Sequence, residues 1–297
     1  MKLATALLLV GSIILEPLTA APQTTTTLRL VYFHSKVFGN NRMLRVLLPP
    51  GYDSVAQRGV RYPVLYLNDG QDLFDPRLST YHSGSQLLQD KMDALYARGA
   101  VRRIIIVGMD NAGGHRNRRP NEYLPWPDNT LHRPSLPHPQ GKSYPQFVVG
   151  EVMPYIQSHF RVTADPEETG IGGASYGALA AIYAVAKAPG RFGRLLIESP
   201  SVYSDDYHLI KVVAGMMVVP KRIAIGVGTD EDGDPSCDQH HPPEPEMIDV
   251  TILRAALDGV SHGRSTMLLT VAPCAKHVPP AFGARFPAAV SFLFGHS

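Results

Sequence analysis

Thr169-Gly-Ile-Gly-Gly-Ala-Ser175-Tyr-Gly-Ala-Leu-Ala-Ala-Ile-Tyr183 is a short β-type run that closes on two glycines, turns at a serine and opens into a helical stretch of small apolar residues. Within it, Gly173-Ala-Ser175-Tyr-Gly177 fits G-x-S-x-G. A serine on so sharp a strand-to-helix turn exposes its hydroxyl at a helix N-terminus, where backbone N–H groups and the helix dipole favour developing negative charge. The pattern recurs at Gly259-Val-Ser261-His-Gly263, but in the reverse setting. There the serine follows a helical segment ending near Asp258 and precedes a strand, so Gly259 and Gly263 read as helix-end and loop glycines. Ser175 is therefore the candidate nucleophile and Ser261 a structural residue.

Working outward from this turn, β-type runs recur at Leu28–Phe33, Met43–Leu48, Tyr62–Asn68, Arg103–Val107, Arg194–Ile197, Arg222–Val227 and Ser265–Ala272. Most are continuously apolar, the mark of strands buried on both faces. Helical spacing is found at Ser85–Ala97, Ser143–His159, Tyr176–Lys187, Asp206–Met216, Met247–Leu257 and Pro280–Phe294. Alternation of strand and helix predicts an α/β domain: a mostly parallel sheet of about eight strands with helices on both faces. The short Gly39-Asn40-Asn41 link makes the first two strands an antiparallel hairpin. No composition break divides residues 22–297, so a single domain is expected.

The 297 residues carry 28 Lys+Arg against 26 Asp+Glu, without a dense basic block. Binding to nucleic acid needs a basic stripe to neutralise phosphates, and none is expected here. Residues 1–21 have the layout of a secretory signal peptide: Lys2, an apolar run from Leu3 to Leu15, then Thr19, Ala20 and Ala21. Glu16 and Pro17 end the run before it could cross a bilayer, so no stable membrane insertion is expected. The mature protein is expected to be secreted or periplasmic, where thiols can oxidise. Two cysteines, Cys237 and Cys274, permit one disulfide and match no zinc spacing. No metal site is expected.

A serine hydroxyl becomes a useful nucleophile when an imidazole takes its proton, and the imidazole needs a carboxylate to fix its tautomer. In a parallel sheet these groups come from loops after later strands, because the carboxyl ends of the strands share one edge. His277 directly follows the last strand and precedes a helix. His262 lies before that strand, at the wrong edge; His240 and His241 fall in a Pro/Glu-rich loop, and His296 is at the terminus. The acid comes from Asp230-Glu231-Asp232-Gly233-Asp234, after the strand ending at Val227. Position relative to the strand end ranks Glu231 ahead of Asp230, with both open. Calcium fits poorly, since an EF-hand loop would want Gly and Glu where Pro235 and His241 stand.

Two backbone N–H groups should face the developing oxyanion. Tyr176, after the nucleophile, supplies one. Gln71, in the turn Leu67-Asn-Asp-Gly-Gln-Asp72, is the candidate for the other. Residues 111–145 show no periodicity, seven prolines and several basic residues, so they read as an irregular insertion over the cleft. Arg118, Arg119, Tyr123 and Trp126 in it are the candidate substrate-binding residues, and the arginines suggest an acidic or phenolic substrate.

Several stretches together resemble the putative-esterase family of α/β-hydrolases: Arg45 to Tyr52, Tyr62 to Asp75, Val107 to Asn111, Glu122-Tyr123, Gly173 to Gly177, Gly228-Thr-Asp-Glu231 and His277. That family includes feruloyl and acetyl xylan esterases, enterobactin-type siderophore esterases, S-formylglutathione hydrolases and mycolyltransferases. The resemblance covers nearly all of the mature chain and implies the α/β-hydrolase fold, a Ser-acid-His triad and no cofactor. It favours Glu231, because the family's acid commonly lies two positions after Gly-Thr. Many relatives have Gly-Gly before the histidine where this chain has Cys274-Ala-Lys276. Since Cys237 follows the acid loop and Cys274 precedes His277, a disulfide between them is expected. The implied activity is hydrolysis of a small-molecule or polymer-linked ester. Transfer of the acyl group to another alcohol, or a non-catalytic binding protein on the same fold, are the alternatives.

Overall fold

The computed structural model describes residues 24–80, 82–113, 118–128, 139–233, 237 and 245–296. The signal-type segment, Asp234, His240 and His241 lie outside them. Eight strands form one sheet: β1 (Thr27–Ser35), β2 (Asn40–Leu48), β3 (Val64–Asn68), β4 (Ile105–Met109), β5 (Thr169–Ala174), β6 (Arg194–Glu198), β7 (Arg222–Gly228) and β8 (Thr266–Ala272). Their order across the sheet is β1-β2-β4-β3-β5-β6-β7-β8. β1 and β2 make the expected antiparallel hairpin, with Thr27 opposite Leu48. β2 also runs antiparallel to β4, and every other neighbouring pair is parallel.

Eight α segments are described: α1 (Leu88–Ala97), α2 (Arg118–Tyr123), α3 (Tyr144–Gln146), α4 (Met153–His159), α5 (Tyr176–Lys187), α6 (Ser204–Ala214), α7 (Pro245–Ser261) and α8 (Pro279–Phe294). α3 and α4 are joined through a π-helical stretch, Phe147–Val152, so the single helix expected at 143–159 runs as α, π and α segments in turn. The insertion at 111–145 is also more regular than its sequence suggests, since α2 lies inside it. A six-residue helix is too short to leave a periodic signature.

Apolar side chains pack on both faces. Leu88, Met92 and Leu95 of α1 meet Phe286, Val290 and Leu293 of α8 in one cluster with Leu65, Leu67 and Ile106 of the sheet. The other face carries the larger cluster, including Ile156, Leu179, Ile182, Leu209, Val250 and Leu253. α5 runs through it and is buried from Tyr176 to Val185. That continuous burial is why the sequence after Ser175 is nearly all apolar and small.

The chain leaves β3 for β4 on one side and places β5 on the other. In open parallel sheets such a reversal opens a crevice at the strands' carboxyl ends, and ligands bind there. The turns after β3 and β5 carry Asp69 to Asp72 and Ser175. Among the described residues, no helix is long and apolar enough to cross a membrane.

Candidate active site

Ser175 sits between β5 and α5 at φ 59° and ψ −129°, a backbone conformation that L side chains rarely adopt. The two flanking glycines explain how the chain closes so tightly. A Cβ on Gly173 would lie 2.7 Å from the Gly177 carbonyl carbon and oxygen, and one on Gly177 would lie 2.8 Å from Asp69 Oδ2. Asn68, at the end of β3, steadies the turn by donating from Nδ2 to the Gly177 carbonyl at 2.6 Å. Ser261 has none of this. It is the last residue of α7, and its hydroxyl donates to the Asp258 carbonyl of the same helix at 2.9 Å.

His277 lies between β8 and α8, and its Nδ1 is 2.5 Å from Glu231 Oε2. Glu231 Oε1 accepts from the Ser199 hydroxyl at 2.7 Å and from the Gly228 N–H at 2.6 Å. Burial pushes this carboxyl up, but the bonds from His277, Ser199 and Gly228 outweigh it and hold Glu231 below the usual glutamate range. Asp230 is buried beside it with its N–H 3.4 Å from the Ala275 carbonyl, so of the two acids it is Glu231 that meets His277. Cys237 and Cys274 form a disulfide with Cα atoms 5.7 Å apart, tying the stretch after Glu231 to the turn that carries His277.

A cavity of about 280 Å³ lies over these groups, lined by Ser175, Tyr176 and Ala174, by His277, Pro279 and Phe282, and by Asp69, Asp72, Ser83, Gln86 and Arg119. The Ser175 hydroxyl is 3.3 Å from the Ser201 hydroxyl. Tyr176 begins α5, so its N–H belongs to the first turn, where helices lack internal acceptors. The Gly70–Asp72 turn presents amides in the same way: its first internal bond runs from Asp72 N–H to the Asp69 carbonyl, leaving those of Gly70 and Gln71 ahead of it. The Gln71 side chain turns inward, donating to Thr80 Oγ1 at 2.8 Å and accepting from the Asn111 N–H at 3.2 Å.

The four candidate binding residues of the insertion separate. Arg119 reaches the cavity, but its Nε and Nη2 donate to the two oxygens of Asp69 at 2.7 and 2.8 Å, and Nη2 also reaches the Ala174 carbonyl. Arg118 is exposed and borders a different depression with Glu122 and Gln140. Tyr123 lies under the β3 turn, where its hydroxyl accepts from the Asp69 N–H at 3.2 Å. Trp126 stacks on His208 at 4.4 Å between ring centroids. Tyr123 and Trp126, expected over the cleft, are both buried and are not among the described residues that line this cavity. Of the two arginines behind the expected acidic or phenolic substrate, Arg119 is paired with Asp69 and Arg118 borders the other depression.

Sequence reasoning missed Ser199, Glu198 and Arg285. The buried guanidinium of Arg285 in α8 donates from Nε to Glu198 Oε2 at 2.8 Å and from Nη2 to Ser199 Oγ at 3.0 Å. Burial pushes the Glu198 carboxyl up to about 7, with Arg285 opposing it. Glu198 ends β6 and Ser199 follows it, at the edge of the sheet that carries Ser175, a position that could have marked them. Arg285 lies inside a helix and carries no such signal.

The putative-esterase family model matches residues 35–243 of the chain. An uncharacterized protein of Bacillus subtilis, YbbA, is 24% identical over 257 residues, 86% of this chain and 93% of its own. An IroE-like serine hydrolase from Shewanella oneidensis superposes with a TM-score of 0.68 at 18% identity, over 90% of this chain and 80% of that one. A ferulic acid esterase from Anaeromyces mucronatus, solved with ferulic acid, gives 0.57 at 18% identity, over 93% and 92%.

Proposed function

The chain belongs to the putative-esterase family, and from that premise we propose that it is a serine carboxylic-ester hydrolase acting through an acyl-enzyme on Ser175. The observation that carries the reading is the 2.5 Å contact between His277 Nδ1 and Glu231 Oε2 beside a serine on its strand-to-helix turn. With Nδ1 bonded to the carboxylate, Nε2 is the nitrogen left to act as base.

In the first half-reaction the Ser175 hydroxyl leaves Ser201 for His277, and Oγ attacks the ester carbonyl carbon as Nε2 takes the proton. The carbonyl π pair moves to oxygen, and the Tyr176 and Gln71 N–H groups receive that charge. Collapse breaks the bond to the alcohol oxygen, which departs with the proton from Nε2. Water then repeats the sequence on the acyl-enzyme and releases the acid. Glu231 remains an anion throughout and stabilises the imidazolium. These steps use no cofactor.

Export belongs to the same proposal. The signal-type layout of residues 1–21 supports it, as does the Cys237–Cys274 disulfide, a bond that persists in oxidising compartments. The substrate would be a small-molecule or polymer-linked ester.

The test is hydrolysis of a chain-length series of p-nitrophenyl esters and of a feruloyl ester by the mature protein and by Ser175→Ala. Loss of about three or more orders of magnitude in the variant is expected. Equal rates, or no cleavage by either, would overturn the nucleophile. Added alcohols in the same assay would reveal acyl transfer as new ester products.

A further inference from the structure

Among the described residues, the charged side chains at the cavity are tied into two contacts, and Asp72 stands outside both. Asp69 from the β3 turn holds Arg119 of α2 through two bonds, and Glu231 holds His277 of the β8–α8 turn. Asp72 lines the same cavity at 6% exposure and makes no ion pair among the described residues. Its Oδ1 accepts from the Thr80 N–H at 2.8 Å, which fixes the carboxyl in place. Ser83 and Gln86, its neighbours on the wall, are uncharged. With Asp72 ionised, the wall of the ester site carries a carboxylate that has no ion-pair partner among the described residues.

We propose that Asp72 sets the charge selectivity of this site, favouring esters that bring a positively charged group such as an ammonium into the cavity and disfavouring those that bring a carboxylate. The inference rests on the reading of Ser175 as nucleophile. A charge held in a dehydrated wall is screened far less than one on the surface, so it discriminates between ligands of equal shape and different charge. Burial, and then the nearby Asp69, push the Asp72 carboxyl up to about 6, so the preference operates above that pH. Asp69 and Arg119 cancel over the same range. His277 must be neutral to act as base, so its protonation removes every substrate alike and cancels from a ratio.

Two matched pairs test this at pH 8, one with the charge on the alcohol and one with it on the acyl group. They are acetylcholine against 3,3-dimethylbutyl acetate, and p-nitrophenyl 4-(trimethylammonio)butanoate against p-nitrophenyl 5,5-dimethylhexanoate. The wild type should favour the cationic member of at least one pair by roughly tenfold in kcat/KM, the order expected for one charge acting across several ångströms of partly dehydrated protein. In Asp72→Asn, which keeps the acceptor for Thr80, that ratio should fall towards one. In the wild type alone it should fall between pH 8 and pH 5. No cationic preference in either pair, or one that survives in Asp72→Asn, overturns the proposal. Failure to cleave any of the four esters would instead overturn the esterase reading on which it rests.

Discussion

Ser199 Oγ lies 2.7 Å from Glu231 Oε1 and 3.0 Å from Arg285 Nη2, and these two contacts decide which way its single proton points. The guanidinium can only donate, so the Ser199 hydroxyl accepts from Arg285 and gives its proton to Glu231. Glu231 thereby receives three donors, from Ser199, Gly228 and His277, and is held as the anion that the imidazole requires. Ser199→Ala should lower kcat/KM about tenfold, the scale of one hydrogen bond to a charged group. KM should change little, because Ser199 acts through Glu231 and does not line the cavity. A change confined to KM would show that this chain of contacts does not serve the base.

Glu231 and Asp230 are adjacent acids with different neighbours, and activity should separate them. Glu231→Gln presents an amide to His277 Nδ1 and disturbs the tautomer, so kcat should drop by about 10⁴. Asp230→Asn, compared at a temperature where the variant is folded, should keep kcat within a few fold. Steady-state kinetics on one p-nitrophenyl ester suffices, and equal losses would reassign the acid.

The disulfide closes a 37-residue separation in sequence around β8 and α7. A loop of that size corresponds to about 3–4 kcal/mol of unfolded-state entropy. Replacing both cysteines by serine should lower stability by up to that amount in urea titrations. Because Cys274 is three residues before His277, activity should also fall before global unfolding as urea is raised. An unchanged midpoint would mean that the bond does not constrain the unfolded chain.

Asp72 makes stability depend on pH in a direction opposite to most acids. Its folded-state pKa is raised from the model-peptide value of 3.8 to about 6, so the folded protein binds this proton more tightly than the unfolded chain does. The stabilising contribution is full below about pH 4 and is lost as pH rises through 6. Asp72→Asn removes that loss. Relative to wild type, the variant should therefore gain several degrees in Tm at pH 7.5 and little at pH 4.5. A gain that is the same at both pH values would show that Asp72 is not the group responsible.

Local chemistry made the architecture and the candidate nucleophile legible. Runs buried on both faces, separated by helical spacing, specified a parallel sheet, and Gly39-Asn-Asn41 specified the hairpin. Gly173 and Gly177 marked the one serine whose turn demands the absence of Cβ atoms. Each of these signals acts among residues close in the chain, so it is written in their order. His277 was legible for the same reason, being the first histidine after the last strand.

What the tertiary structure alone decided is which side chains meet after the chain has folded back. Arg119 and Asp69 are 50 residues apart and Arg285 and Glu198 are 87, and no periodicity records such pairings. Arg119, read in isolation, is a free cation beside a cleft; packed against Asp69 it is neutralised. Tyr123 and Trp126 are large apolar surfaces, and burying them stabilises the fold more than leaving them in a wet crevice, so they went inward. Asp72 is left without an ion-pair partner among the described residues because Arg119 goes to Asp69, an outcome set by distance in space and not by position in sequence.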